Sequence, residues 1–216
     1  VVGDEAGTAI TTGDYNVGVG YAANLSVVTT SGNTAIGSTS GKYVTGANNT
    51  HVGYAAGQGI SGVPAAGDNN TTVGANAGLL LQGAATGNTF VGALSGDATT
   101  TGVRNTAVGD QSFSTNSTGD YNTAVGRSAM FGNTTADSNT AVGYEALYTN
   151  LIGTENVAVG KGAGAVTVGE KNTLIGALAG QTLGDSANNV AVGRGALAAD
   201  RLGTKTTAIG FGALST

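Results

Sequence analysis

The sequence predicts an all-β fold, a parallel β-solenoid of about thirteen coils with about 17 residues each. Three observations predict it. A β-branched residue followed by glycine recurs along the whole chain, Asn stands four residues before nearly every one of these glycines, and Ala or Ser stands three residues after each of them. A fixed period of this length is typical of solenoids, in which each coil stacks on the next.

The recurrent glycine, which we call the anchor glycine, sets the period. The steps between successive anchor glycines are 17, 17, 16, 21, 18, 17, 17, 17, 17, 16, 17 and 17 residues. A glycine kept at one point of every coil indicates a positive φ or a close backbone approach. The anchor glycines are residues 3, 20, 37, 53, 74, 92, 109, 126, 143, 160, 176, 193 and 210.

The composition fits a thin stacked coil. The chain has 39 glycines, one proline and 10% charged residues, and its apolar residues are mostly small. Glycine and β-branched residues at this density would cost a helix about 0.5–1 kcal/mol each, which argues against helices. We expect one solenoid domain over residues 1–216. Because Val1 is not an initiator methionine and lies within a repeat, we expect a segment of a longer fibre.

Each coil is predicted to carry a short strand at Asn-Thr-Ala-Val, a bend at the anchor glycine and a second short strand in the following Ala-Leu region. The alternation places Thr and Val on one face and Ala on the other. We expect the Val/Ile positions to form the core. The position between Thr and Val carries no charge in any coil. We therefore expect it to pack against other chains, which predicts a homotrimer.

Two other features have structural interpretations. The Asn positions are expected to form stacked amide ladders and to cap turns. The 21-residue step contains the only proline, so residues 59–68 are predicted to form a loop that bulges from one coil. Its candidate binding residues are Ile60, Val63, Pro64 and Asp68.

Nothing in the sequence predicts a cofactor or metal site. The motif Gly18-Val19-Gly20-Tyr21-Ala22-Ala23 matches G-x-G-x-x-A, but it recurs without a following helix. With no cysteine and one histidine, His51, the chain is poor in metal ligands. We interpret His51 as structural; the alternative is three copies of it meeting at a trimer axis. The absence of basic clusters and of long apolar runs argues against nucleic acid and a membrane span.

No catalytic constellation stands out, so we predict that the chain is not an enzyme. Its acidic residues are scattered and occupy turns, whereas a glycan hydrolase needs two carboxylates at one site. Asp14-Tyr15-Asn16 and Asp120-Tyr121-Asn122 are alternative calcium turns, although solvated turn caps explain them as well.

The repeat NTAVGYEAL, at residues 139–147, resembles the repeat region of tail-fibre-like surface proteins of phages and bacteria. Its Ala-Val-Gly core is also similar to the heads of trimeric autotransporter adhesins, although those repeats are usually shorter. The resemblance covers essentially the whole chain. It implies a left-handed parallel β-roll assembled as a homotrimer. Many tail-fibre relatives end in a self-cleaving chaperone domain, which this sequence does not contain.

The expected function is therefore a non-catalytic structural fibre or adhesive head on a virion or bacterial surface, with an extracellular location. Its partner would be a host-surface glycan or protein receptor. Two alternatives stay open: an ice-binding solenoid, suggested by the Thr columns, and a glycan-degrading phage spike. Two observations argue against ice binding: Thr shares its face with the Val that we expect in the core, and no Thr-x-Thr pair repeats in register.

Overall fold

One parallel β-sheet runs through the protein. The computed structural model describes residues 1–199 and 203–215, and in these its twelve strands lie in chain order, each paired only with its sequence neighbours. The strands are β1 Val17–Val19, β2 Thr34–Ile36, β3 Thr50–Val52, β4 Thr71–Val73, β5 Thr89–Val91, β6 Thr106–Val108, β7 Thr123–Val125, β8 Thr140–Val142, β9 Val157–Val159, β10 Thr173–Ile175, β11 Val190–Val192 and β12 Thr207–Ile209.

The coils stack in register, which confirms the parallel β-solenoid. Equivalent positions pair in every case, and the pairing of Thr50 with Thr71 is kept across the 21-residue step. Backbone hydrogen bonds join the coils inside and outside the strands. Thr106 N–H donates to Asn122 O at 2.8 Å, and in the turn Phe113 N–H donates to Ala129 O at 2.9 Å. About eleven turns of solenoid connect the twelve strands.

The anchor glycines have the conformation that the sequence predicts. Gly143 has a φ of +136°, and a Cβ there would lie 2.6 Å from Gly160 O of the next coil. An L side chain would therefore be strained by the dihedral angle and would also collide with the neighbouring backbone. The same two restrictions hold at every anchor glycine from Gly3 to Gly193.

The expected second strand of each coil is not present; that prediction is wrong. The Ala-Leu region is a run of hydrogen-bonded turns. Its backbone alternates into the left-handed region, with φ of +55° at Ser128 and +50° at Met130, and a strand cannot contain this alternation. The residues instead reverse the chain direction within a few positions, which lets a coil close with only about 17 residues.

The inside and outside of the coil are the reverse of our expectation. Ala107, Ala124 and Ala141 are fully buried, whereas Val108 and Val142 are 37% exposed. The Val/Ile positions are therefore not the core, and the Ala positions do not pack against another chain. The reason is space, because the coil is narrow and leaves room for little more than a methyl group at these three positions, where the turn residue four places after the anchor glycine is large.

Two columns of side chains in the interior compensate each other in size at most levels. The inner strand column is the middle residue of each strand, and the turn column lies four residues after each anchor glycine. Where the strand residue is large, the turn residue is glycine, and a Cβ on Gly180 would lie 2.6 Å from Leu174 Cδ2. The large-small pairs are His51/Gly57, Phe90/Gly96 and Leu174/Gly180, and the small-large pairs are Ala107/Phe113, Ala124/Met130, Ala141/Leu147 and Ala191/Leu197. At Ala35/Gly41 and Ala158/Gly164 both residues are small, and large side chains of the neighbouring coils lie against the glycine instead.

The Asn column forms the expected amide ladder and lies inside the coil. Asn105 Oδ1 accepts hydrogen bonds from the backbone N–H of Asn122 at 2.9 Å and from its Nδ2 at 3.2 Å. Asn122 Nδ2 also donates to Ala136 O at 2.8 Å, which fixes the turn before the strand. Because each amide satisfies both its donor and its acceptor, the buried polar column stabilises the stack.

We expect Gly143→Ala to lower the free energy of unfolding by about 3 kcal/mol, because it combines left-handed strain with a collision against Gly160 O. The measurement is chemical denaturation followed by circular dichroism. The matched control is Gly195→Asn, since Gly195 has a φ of +67° and open space around it, and Asn tolerates that dihedral angle. Equal stability of the two variants would contradict the role of the anchor glycine.

Candidate functional site

A uniform surface runs along the coil, the outer strand face, which we define as the first and third residues of strands β1 to β12. Every residue of this face is Thr, Val or Ile. These side chains are half-buried or exposed, whereas the middle residue of each strand is buried. β-Branched side chains are stiff at χ1, so the face is a regular and rigid array without charge.

Charged and aromatic residues border this face on both sides. The leading column is the residue just before each Asn of the ladder, and the trailing column is the residue just after each anchor glycine. In the leading column, Arg104 Nη1 donates to Tyr121 Oη at 2.7 Å. In the trailing column, Arg127 Nε pairs with Asp110 Oδ2 at 3.3 Å. These contacts run along the solenoid, from one coil to the next.

Two aromatic residues of the trailing column, Tyr144 and Phe211, form cation–π contacts with cations of neighbouring coils. Arg127 and Lys161, from the coils before and after, lie 5.8 and 5.9 Å from the centre of the Tyr144 ring. Arg194 lies 5.6 Å from the centre of the Phe211 ring. Solvated contacts of this kind contribute about 0.5–1 kcal/mol each, so the cations stay available to a further partner.

The predicted loop is present but shorter than residues 59–68. Ile60 and Val63 form an isolated antiparallel bridge, and Val63 N–H donates to Ile60 O at 3.1 Å. Val63 and Pro64 are exposed and Ile60 is half-buried. Asp68 is exposed too, but its Oδ1 accepts from Ala47 N–H at 2.7 Å, which makes it a turn cap of the coil. The protruding part is thus the four residues 60–63.

His51 lies inside its own coil, so the alternative of three histidines at a trimer axis is wrong. Its Nδ1 is 2.8 Å from Thr72 Oγ1, and the pair is fully enclosed. Burial lowers the pKa of His51 from 6.5 to about 4. Its Nε2 has no hydrogen-bond partner, and Gly41 and Gly57 provide the space for the ring. These contacts fit a neutral imidazole that fills the core.

The acidic residues do not form a catalytic pair with a base. The carboxylate of Asp97 is half-buried: burial raises its pKa, and Ser114 Oγ donates to its Oδ1 at 2.5 Å. The only histidine of the sequence is inside the coil and cannot activate that serine. Within residues 1–199 and 203–215, no three His, Cys, Asp or Glu side chains converge on a possible cation position.

A second polar column inside the coil was not predicted. Seven residues after five successive anchor glycines stand buried polar side chains, and Asn133 Nδ2 donates to Asn116 Oδ1 at 2.9 Å. The signal was visible as an Asn, Asn, Asn run with a period of 17, but it was hidden among other turn residues. The column is Thr99, Asn116, Asn133, Asn150 and Thr167.

Comparison of the sequence with protein-family models and with curated proteins finds no match. In the part of the chain that the structure describes, there is no helix with the length and hydropathy needed to cross a membrane.

We expect the stability of the protein to fall between pH 6.5 and pH 4 because of His51. Its pKa is depressed in the folded state to about 4, so only the unfolded chain takes up a proton in that window. The loss is absent above pH 6.5 and reaches about 3 kcal/mol near pH 4.

The measurement compares urea unfolding of the wild type with that of His51→Leu/Thr72→Ala. Leu174 already occupies the inner strand column between glycines, and Ala is the commonest residue there. The difference in free energy between the two proteins should shift in favour of the variant as the pH falls. A difference that is constant with pH would contradict the buried neutral imidazole.

Proposed function

We propose that this chain is a non-catalytic structural fibre or adhesive head on a virion or bacterial surface, where it mediates attachment as a homotrimer. The observation that carries the proposal is the outer strand face. It extends over all twelve strands without a charged residue, and it consists of side chains that have little conformational entropy to lose on association.

The outer strand face supports association of copies in a way that the Ala positions cannot. With eleven steps of ~4.8 Å and a width of ~15 Å, the face and its borders cover roughly 800 Å² of each copy, which a ring of three divides between two neighbours, roughly 400 Å² each. The number three comes from the resemblance of the NTAVGYEAL repeats to tail-fibre-like proteins and adhesin heads. The interface thus moves from the Ala positions to the Thr and Val/Ile positions.

We expect the wild-type protein to have a mass of three times 20.7 kDa by light scattering after size exclusion. Val142→Glu should give a folded monomer, because the exposed Val142 would place a carboxylate in each interface. Ile152→Glu is the control, since Ile152 is 66% exposed and lies outside the outer strand face. A monomeric wild type would contradict the assembly.

The protruding residues 60–63 are the proposed receptor contact. They are an insertion relative to the 17-residue period, and removal of residues from Ile60 to Val63 would restore that period. The chain on either side is held by coil contacts, since Ala65 forms bridges to Val44 and Gly83. A host-surface glycan or protein is the expected receptor class.

We expect deletion of residues 60–63 to leave the melting temperature within a few degrees of the wild type and to abolish attachment. The measurement is flow cytometry of the labelled protein on a panel of bacterial strains. A control replaces Ser61-Gly62 with Gly-Gly and keeps the length of the loop. Undiminished labelling by the deletion variant would place the adhesive contact on another part of the coil.

A second candidate, ice binding, is favoured by one observation. The Thr side chains lie on the outer face beside Val108 and Val142, which are exposed, so a buried Val no longer counts against a displayed hydroxyl array. The absence of a repeated Thr-x-Thr pair in the strands still counts against it. The Val142→Glu and Ile152→Glu variants also distinguish the two functions. An ice-binding face would give thermal hysteresis in the wild type that Val142→Glu alone removes, whereas a fibre would give none.

A further inference from the structure

The two border columns of the outer strand face complement each other in four of the twelve coils that carry a strand. A coil contributes one leading and one trailing residue, six positions apart along the chain. Coils with two charged borders carry opposite charges: Arg104 with Asp110, and Glu155 with Lys161. Two other coils pair a cation with an aromatic ring, Tyr121 with Arg127 and Lys205 with Phe211, and all eight residues are exposed.

These pairs cannot form within one chain. The leading and trailing residues of a coil are separated by the strand and point to opposite borders of the face. The extended three-residue strand between them separates the two borders by at least roughly 10 Å, beyond an ion pair. Along each column the border residues contact neighbouring coils, as Arg127 does with Asp110, but a contact between a leading and a trailing residue of equal coils needs a second molecule.

The complementarity also selects one register. With equal coils side by side, two opposite-charge pairs form and no like-charge pair does. A shift of one coil in one direction brings Arg104 to Arg127 and Lys171 to Arg194. The opposite shift brings Lys171 to Lys161 and Lys205 to Arg194. Either shift loses both favourable pairs and gains two repulsive ones.

We propose that copies of this chain associate in parallel and in register, with the leading column of one copy against the trailing column of the next. This inference rests on the proposed homotrimer and adds to it the orientation and the axial alignment of the copies. The partner is a second copy of the chain. A ring with its axis along the solenoid is the symmetry that brings equal coils together at every interface. The ion pairs at the border add specificity to the apolar face between them.

The test is a charge-swap cycle at Glu155 and Lys161. Glu155→Lys alone places Lys against Lys at each interface, and Lys161→Glu alone places Glu against Glu. Each single variant should raise the dissociation constant of the trimer roughly tenfold. The repulsion at one interface is small, but it occurs at three equivalent interfaces. The double variant restores an opposite pair and should return to within about threefold of the wild type. Dissociation is measured by sedimentation over a dilution series.

The control cycle combines Glu155→Lys with Arg194→Glu, two coils away. The effects of these two substitutions on the dissociation constant should multiply, because distant sites act independently. The loss of contacts along each column, such as that of Lys161 with Tyr144, affects single and double variants alike and cancels in the cycle. If the effects of the two substitutions on the dissociation constant multiply in both cycles, the proposed register is wrong although the proposed trimer stands. A monomeric wild type would contradict both the register and the trimer.

A second measurement does not depend on charge. The chain has no cysteine, so Glu155→Cys/Lys161→Cys introduces a single pair that is too far apart to close within one chain. Mild oxidation should give a covalent three-chain band on a non-reducing gel. Glu155→Cys/Arg194→Cys should stay a single chain. Three-chain bands of equal strength from both variants, or from neither, would contradict the register.

Discussion

Close stacking of one coil on the next is the constraint on which the rest of the structure depends. At the anchor glycines the backbone of adjacent coils approaches so closely that a single methyl group would not fit, as the position of Gly143 beside Gly160 O shows. This contact fixes the spacing of the strands and hence the register of the hydrogen bonds. The Asn ladder then holds the following turn at the same spacing, because each amide bonds to the Asn of the coil before it and to a carbonyl of the turn that leads into the next strand.

The spacing also decides which side chains are inside. A coil of about 17 residues encloses a narrow interior, and only one of its two columns can be large at any level. Hydrophobicity alone would place Val inside and Ala outside, but the available volume selects the reverse. The β-branched residues are thus left on the surface, where they form the uncharged face that we propose as the interface. The proposed interface is thus a consequence of a limit on space.

The sequence is sufficient to predict the solenoid architecture, but not which face of each strand is buried. The period, the short strand, the positive φ of the anchor glycine and the position of the loop were all visible as spacing. Alternation of Thr, Ala and Val defines two faces but not which of them is buried, and the lack of charge at the Ala positions is equally expected of a core. The second strand was mispredicted because Leu and Ala carry no sign of the left-handed φ that Leu147 adopts. His51 was correctly interpreted as structural, but its place inside the coil follows only from Gly41 and Gly57 beside it.

The compensation between the inner strand column and the turn column limits how such an array can evolve. A bulky substitution at Ala107 would be accommodated only with the loss of Phe113, and the present Phe90/Gly96 pair is the outcome that such a double change would give. Border residues have no such restriction inside the chain. Whole-coil duplication carries both members of a pair together and therefore preserves the interior. Point mutation within a coil has to pass through a cavity or a clash, so families of this kind should lengthen and shorten more readily than they repack.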